Sequence, residues 1–381
     1  MERYPTISLV LNTQFGYQRE MIRGITAYAI SHTRWRFRVD PTPPDRAEVR
    51  RSDGVIVHAG FREDLNRLRP GSGRIVQVCE RLEGPPVATV MPDDEAVGRL
   101  AAKHFLDQGF RRFAFWRLGN ASWVKRRYRG FREALGAAGF DCEAFRPPRG
   151  ADGRFRDGRF ESPLKKWLPG LAKPTVLFAA NDPLAYQVAE ACLDLGLGVP
   201  EEVAILGVDN DVLLCESTPL PLSSVDPGFR RIGFEAARLM DRLLAGEAAP
   251  EEPIVLEPVG VVTRRSSETI PIEDQEFARA LALLRQRACE PVSVDQVVRE
   301  VRVNRRWLER RCREVLGRTP HDEIVRVQME KARELLAKSR GKIEQVARQC
   351  GYAHSENFYR TFRKEMGMTP ASYRRKFQMT A

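Results

Sequence analysis

The last hundred residues repeat themselves. The stretch "VDQVVREVRVNRRWLERRCREVLGRTP" (residues 294–320) is echoed by "IEQVARQCGYAHSENFYRTFRKEMGMTP" (343–370). Val294, Val297 and Val298 fall 49 residues before Ile343, Val346 and Ala347. Leu308, Cys312 and Gly317 fall 50 before Phe358, Phe362 and Gly367. A unit that recurs in register folds the same way twice: a short helix, a tight turn, and a second helix beginning after Asn304 or Ser355. Either residue can cap an N-terminus with its side-chain oxygen. Apolar residues at i and i+4, Leu308/Cys312 and Phe358/Phe362, set the buried face. The turns differ, because Arg302 stands where the second copy has Gly351. If that position needs a left-handed backbone, the arginine costs roughly 1 kcal/mol.

The opposite face of the second helix carries Arg305, Arg306, Glu309, Arg310 and Arg313 in one copy. In the other it carries Glu356, Asn357, Arg360, Arg363 and Lys364. Arginine makes paired hydrogen bonds to guanine, asparagine to adenine, and glutamate accepts from cytosine. Charges farther along the helix suit phosphates, which add salt-dependent affinity without reading sequence. The net charge of +11 is segregated to match: residues 273–381 hold 24 Lys and Arg against 15 Asp and Glu, and the 272 before them 38 against 36. A basic block of this kind is the footprint of a polyanion binder, here double-stranded DNA.

Ahead of the block, from residue 5 to about 262, short apolar runs ("TISLVL", "GVIVHA", "TVLFAA", "VAILGV") alternate with amphipathic stretches of helix length. That alternation gives βαβ units and parallel sheet covered on both faces. A chain return through "PLSSVDPGFRRIGFEAARLMDRLLAG" suits two lobes joined by crossovers. After "RRSSETIPIEDQ" only helical periodicity remains, so the expected division is a sensing domain over 1–265, a linker over 266–275 and an all-α domain over 276–381. Ligands of parallel sheets bind beyond the carboxyl ends of strands. Two such ends carry polar clusters, Asn181-Asp182 and Asp209-Asn210. Asp182, just before Pro183, reads as the cap of the next helix. Asp93-Asp94-Glu95 reads as an acidic helix start favoured by the helix dipole.

The tail from about 274 to 376 resembles the AraC-type transcription regulators, whose DNA-binding domain is two helix-turn-helix units bridged by a long helix. "RVQMEKARELLAKS" supplies the bridge. The front 260 residues, through "FAANDPLA", "VAILGVDND" and "PLSSVDPGFRRIGFEAARLM", resemble the LacI-type and periplasmic-binding-protein-type sugar sensors. The implied architecture is an α/β two-lobed, periplasmic-binding-protein-like sensor with Rossmann-like lobes, followed by an all-α double helix-turn-helix domain. The resemblance carries the sugar-binding residues of that family onto Asn181, Asp209 and Arg127. It also places "NTQFGYQRE" at the ligand-facing loop, where Phe15 or Tyr17 covers a sugar and Arg19 or Glu20 meets its hydroxyls. It implies a monosaccharide effector, with D-xylose or a close pentose expected. A homodimer and activation through RNA polymerase are implied as well.

Other classes fit less well. No G-x-G-x-x-G follows a strand, no P-loop occurs, and none of the five histidines has metal-ligand spacing, so no enzyme, cofactor or metal is expected. The seven cysteines are scattered singly, which disfavours a disulfide framework or the activated cysteine of a DNA-repair fusion. No apolar run approaches eighteen residues and the N-terminus lacks a signal-peptide pattern, so the expectation is a cytoplasmic protein without a membrane span rather than an exported binding protein.

Overall fold

The computed structural model describes residues 4–39, 46–59, 65, 74–80, 87–117, 121–145, 161–268, 275–290, 293–338 and 341–377. The chain opens with β1 (Thr6–Val10), α1 (Gly16–His32), β2 (Arg36–Val39), α2 (Arg46–Arg50), β3 (Gly54–Val57), β4 (Ile75–Val78) and β5 (Ala88–Pro92). It crosses to a second lobe through α3 (Asp94–Leu106), β6 (Phe113–Trp116), α4 (Ser122–Ala137), β7 (Cys142–Ala144), α5 (Glu161–Trp167) and β8 (Thr175–Ala179). That lobe continues through α6 (Asp182–Asp194), β9 (Val203–Val208), α7 (Val212–Glu216) and β10 (Ser223–Asp226). It then returns to the first lobe with α8 (Phe229–Leu244) and β11 (Ile254–Leu256), and crosses once more at β12 (Gly260–Val262).

The two sheets have matching orders, β11-β5-β4-β3-β1-β2 and β12-β10-β9-β8-β6-β7. Pairing is parallel except between β10 and β12. β3, β5, β6, β8 and β9 are buried along their whole length, which is why they appear as unbroken apolar runs. Each lobe seats a helix pair on reciprocal glycines. A Cβ on Gly24 of α1 would lie 1.9 Å from the Arg230 carbonyl, and one on Gly233 of α8 2.0 Å from that of Met21. The second lobe repeats the device with Gly98 against Arg127 and Gly130 against Glu95. Backbones that approach this closely leave no room for a side chain, so the helices stand fixed over their sheets.

Beyond the last strand only helices follow: α9 (Gln275–Gln286), α10 (Val294–Val301), α11 (Arg305–Leu316), α12 (Pro320–Lys338), α13 (Ile343–Gln349), α14 (Ser355–Met366) and α15 (Pro370–Phe377). Residues 269–274 of the expected linker lie outside the described residues. The bridge helix begins at Pro320, six residues before the stretch singled out in the sequence, because Thr319 and Asp322 bond each other across its first turn.

Candidate functional site

Each half of the tail has its own core, and α12 belongs to both. Leu308 and Cys312 of α11 pack with Val297 and Val298 of α10, Phe277 and Leu281 of α9, and Ile324 of α12. Phe358 and Phe362 of α14 pack with Val346 and Ala347 of α13 and with Met329, Ala332 and Leu336 of α12. With the apolar stripes buried, the polar faces point outward. Arg305, Arg306, Arg310 and Arg313 are exposed and Glu309 is half-buried, while Glu356, Asn357, Arg360, Arg363 and Lys364 are all exposed.

Arg305 donates to Asp295 at 2.7 Å and to Glu309 at 3.0 Å, and Arg360 donates to Asn357 Oδ1 at 3.1 Å. Asn304 caps α11 by accepting from the Arg306 N–H at 2.8 Å. The other expected cap differs: Ser355 is already inside α14, and His354 occupies the cap position without a side-chain bond. Arg302 and Gly351 have φ of 64° and 83°, so both turns use the left-handed backbone. Gly351 carries a second constraint, for its Cβ would sit 3.0 Å from the Cys289 carbonyl.

In the sensor, the chain brings Arg127 and Asp209 together from elements 82 residues apart. Arg127, 4% exposed, donates from Nε to Asp94 at 3.0 Å and from Nη1 to the Ala180 carbonyl at 2.6 Å. Its Nη1 is 3.5 Å from Asp209, and its guanidinium stacks 4.8 Å over the Trp123 ring. Burial pushes the Asp209 carboxyl well above the ordinary range against the pull of Arg127. Tyr17 and Cys79, from the first lobe, come close enough to Asp209 and Arg127 to feel their charges, though burial is the larger cause of their raised pKa values. Tyr17 is held by ring contacts to Phe15, His58 and Phe229. Phe15 itself is 45% exposed.

Two adjacent pairs of residues have their roles decided by the fold. Asn181, not Asp182, caps α6, accepting from the Leu184 N–H at 3.1 Å. Asp182 is fully buried and holds the loop after β9. Its carboxylate accepts from the Asp211 N–H at 2.8 Å and the Ser224 hydroxyl at 2.6 Å, and burial raises its pKa to about 7. With Asp209 N–H on Val225 O and Asn210 N–H on Ser224 Oγ, three successive amides of that loop are fixed. Asp209 and Asn210 there hold φ of 116° and 49°, a strained backbone of the kind found at binding sites. Likewise Asp93 caps α3, while Asp94 is buried between Arg126 (2.8 Å) and Arg127. The acidic helix start expected of Asp93-Asp94-Glu95 thus holds for Asp93, whereas Asp94, just beyond the end of β5, is turned inward onto the arginines.

Arg19 donates to the carbonyls of Thr13 and Gln14 and lies 3.7 Å from Asp211, so it bridges the lobes. A cavity of about 730 Å³ opens between α1, the 209–213 stretch and α12. Of the seven residues expected to meet ligand, Arg19, Glu20 and Asp209 line it. The void thus lies beside the Arg127–Asp209 pair, toward the tail, with Asp209 on its wall and Arg127 buried behind it.

The tail docks on the sensor at two places. Arg318, just past α11, pairs with Asp107 at 3.4 Å and also donates to its carbonyl, and Val315 and Leu316 close on Gly109. Arg318 simultaneously meets Glu323 at 3.1 Å, a buried carboxylate that also holds Arg285 and Arg326. At the second place the Val259 carbonyl accepts from Arg333 (2.8 Å) and Tyr373 (3.3 Å), and Arg231 lies 4.7 Å over the Phe377 ring. A polar chain runs from the 209–211 loop to the helix that carries the first dock: Asn210 to Arg264 (3.1 Å), Arg264 N–H to Ser223 (2.7 Å), Ser223 to Ser267 (2.8 Å), and Ser267 to His104 of α3 (3.0 Å).

Comparison with known proteins agrees with both halves. Residues 102–267 match the periplasmic binding protein-like domain family and residues 297–376 a helix-turn-helix domain family. The chain is 30% identical to the xylose operon regulatory protein of Escherichia coli K12, covering 97% of this chain and 96% of that one. It is 28% identical to the protein of the same name from Haemophilus influenzae, over 98% and 99%. A solved structure of the xylose-binding transcription activator xylR superposes with a TM-score of 0.63 at 29% identity, covering 99% of both chains.

Proposed function

Because the chain belongs to the family of xylose operon regulatory proteins, AraC-type regulators with a periplasmic-binding-protein-like sensor, we propose that its effector is D-xylose or a close pentose and that it activates pentose-catabolic genes. It is a sugar-responsive, DNA-binding transcription regulator, and its relatives are regulators rather than enzymes. Asp209, Arg127 and Asn181 take sugar hydroxyls, with Tyr17 and Phe15 against the sugar's apolar face and Arg19 at the rim. On the DNA side Arg305, Arg306, Glu309, Glu356, Asn357 and Arg360 read base edges, and Arg310, Arg313, Arg363 and Lys364 meet phosphates. Residues 1–265 act as sensor, 266–275 as linker and 276–381 as reader. The regulator works as a cytoplasmic homodimer that contacts RNA polymerase. No helix among the described residues is long and apolar enough to cross a membrane.

The observation that supports this reading most is the direct docking of the reader on the sensor, through Arg318 and Asp107. A sugar that moves the lobes moves the face on which α11 rests. Sugar and operator then strengthen each other by one common factor, typically about 1–3 kcal/mol. Titration of D-xylose with and without an operator duplex tests this, and equal sugar affinity in both arms refutes it.

A further inference from the structure

We infer that Asp211 is a positioning residue for sugar binding, a clasp from the second lobe whose carboxylate rests on the start of the first lobe's helix α1 and on Arg19 and so holds the lobes shut. This rests on the sugar-sensor reading above. Helix α1 begins at Gly16 with no acidic residue in its first turn and no side-chain cap from Phe15. Its first N–H groups and the positive end of its dipole lack a partner from their own lobe.

Asp211 of the second lobe sets its carboxylate against that end. A Cβ built on Gly16 would lie 2.2 Å from Asp211 Oδ2 and 2.3 Å from its Cγ, so the carboxylate rests directly on the helix start. Arg19, one turn along, approaches the same carboxylate at 3.7 Å. Asp211 makes no cap bond to its own helix α7, so its side chain is given over to the other lobe. The buried Asp182 fixes its backbone. On the far side of the cleft Ser122 of the second lobe donates to Glu80 of the first, so the lobes are joined at both edges with Tyr17, Cys79, Arg127 and Asp209 between.

Gly16 therefore has a role that helix formation does not require. Alanine there improves helix propensity within the first lobe, so any loss it causes comes from the contact with Asp211. Gly16→Ala is expected to weaken D-xylose binding to the full-length protein about three- to tenfold, because the methyl turns the Asp211 carboxylate away and apparent affinity falls with the fraction of chains able to close. Asp211→Asn, which keeps the shape and removes the charge, weakens it about two- to fivefold.

The double variant G16A/D211A removes the carboxylate that the methyl strikes, and it binds more tightly than G16A alone. A purely structural role for Gly16 gives no such rescue. Calorimetry showing wild-type affinity in G16A, or no recovery in the double variant, overturns the clasp. If the wild-type chain does not bind D-xylose at all, the sugar reading fails and the clasp is decided by X-ray scattering of the ligand-free chains. A larger radius of gyration for G16A, reversed in the double variant, supports it, and identical curves overturn it.

Discussion

Arg318 is the residue through which the two halves are expected to communicate, and Arg318→Met measures how much of the signal passes there. Methionine keeps the aliphatic stem and removes the guanidinium, cutting the tie to Asp107. Hydrogen bonds to charged groups contribute about 1.5–3 kcal/mol each. Here neither carboxylate is left alone, for Asp107 keeps Lys103 at 2.8 Å, and Glu323 keeps Arg285 and Arg326. The cost is thus at the low end, about 1–2 kcal/mol of coupling, or roughly 5- to 30-fold. The assay is fluorescence anisotropy of an operator duplex titrated with wild-type and R318M protein, each with and without D-xylose. The ratio of the two DNA affinities in wild type should shrink toward one in R318M. D107N should shrink it less, because the bond from Arg318 to the residue-107 carbonyl remains, and the double variant by no more than R318M alone. If R318M keeps the full sugar-dependent change, the signal does not travel through this dock.

Other consequences are as direct. Asn357→Ala or Arg360→Ala should each cost about 1–3 kcal/mol of operator binding and relax base preference at one position. Lys364→Ala should instead weaken all duplexes alike and lower the salt slope by about one, read from anisotropy across salt concentrations. Asp94→Asn removes the buried charge shared by Arg126 and Arg127, while Arg127 keeps Asp209 and the Ala180 carbonyl, and should destabilise the sensor by about 1.5–3 kcal/mol in urea unfolding, unlike the neighbouring Glu95→Gln. His104 is buried and held neutral, its pKa pushed down to about 3 by burial and then by Arg326. Between there and the unfolded value near 6.5 the unfolded chain binds a proton that the folded one refuses, so stability is full above about pH 6.5 and falls as pH drops. His104→Gln should flatten that slope in thermal melts between pH 4 and 7.

What was legible in the sequence depended on how local the determining contacts are. The doubled tail could be read because Leu308/Cys312 and Phe358/Phe362 declare a buried face within one helix turn. Even the doubtful Arg302 follows the left-handed path that Gly351 marks. The strand-ends of the sensor were located but their side chains were assigned imperfectly. In Asn181-Asp182 the asparagine caps and the aspartate goes under the 209–211 loop. In Asp93-Asp94 the first caps and the second reaches arginines more than 30 residues away. Adjacent acidic or amide residues are interchangeable to a pattern, and only the partner, placed by another element, separates them. The dock between Asp107 and Arg318, 211 residues apart, leaves no trace in either segment's periodicity.

Helix α11 has twelve residues, about 18 Å at the usual rise per residue. Its final turn leans on the sensor through Val315 and Leu316, and its opening turn holds Arg305 and Arg306. Input and output thus occupy opposite ends of one stiff rod. On the function proposed above, a tilt applied at Gly109 reaches Arg305 and Arg306 as the same tilt, with no relay of intermediate side chains needed to convey it. Such a lever makes the response geometric: half-site spacing and helical phase of the operator, more than the strength of any single contact, decide whether the tilted pose can be accommodated.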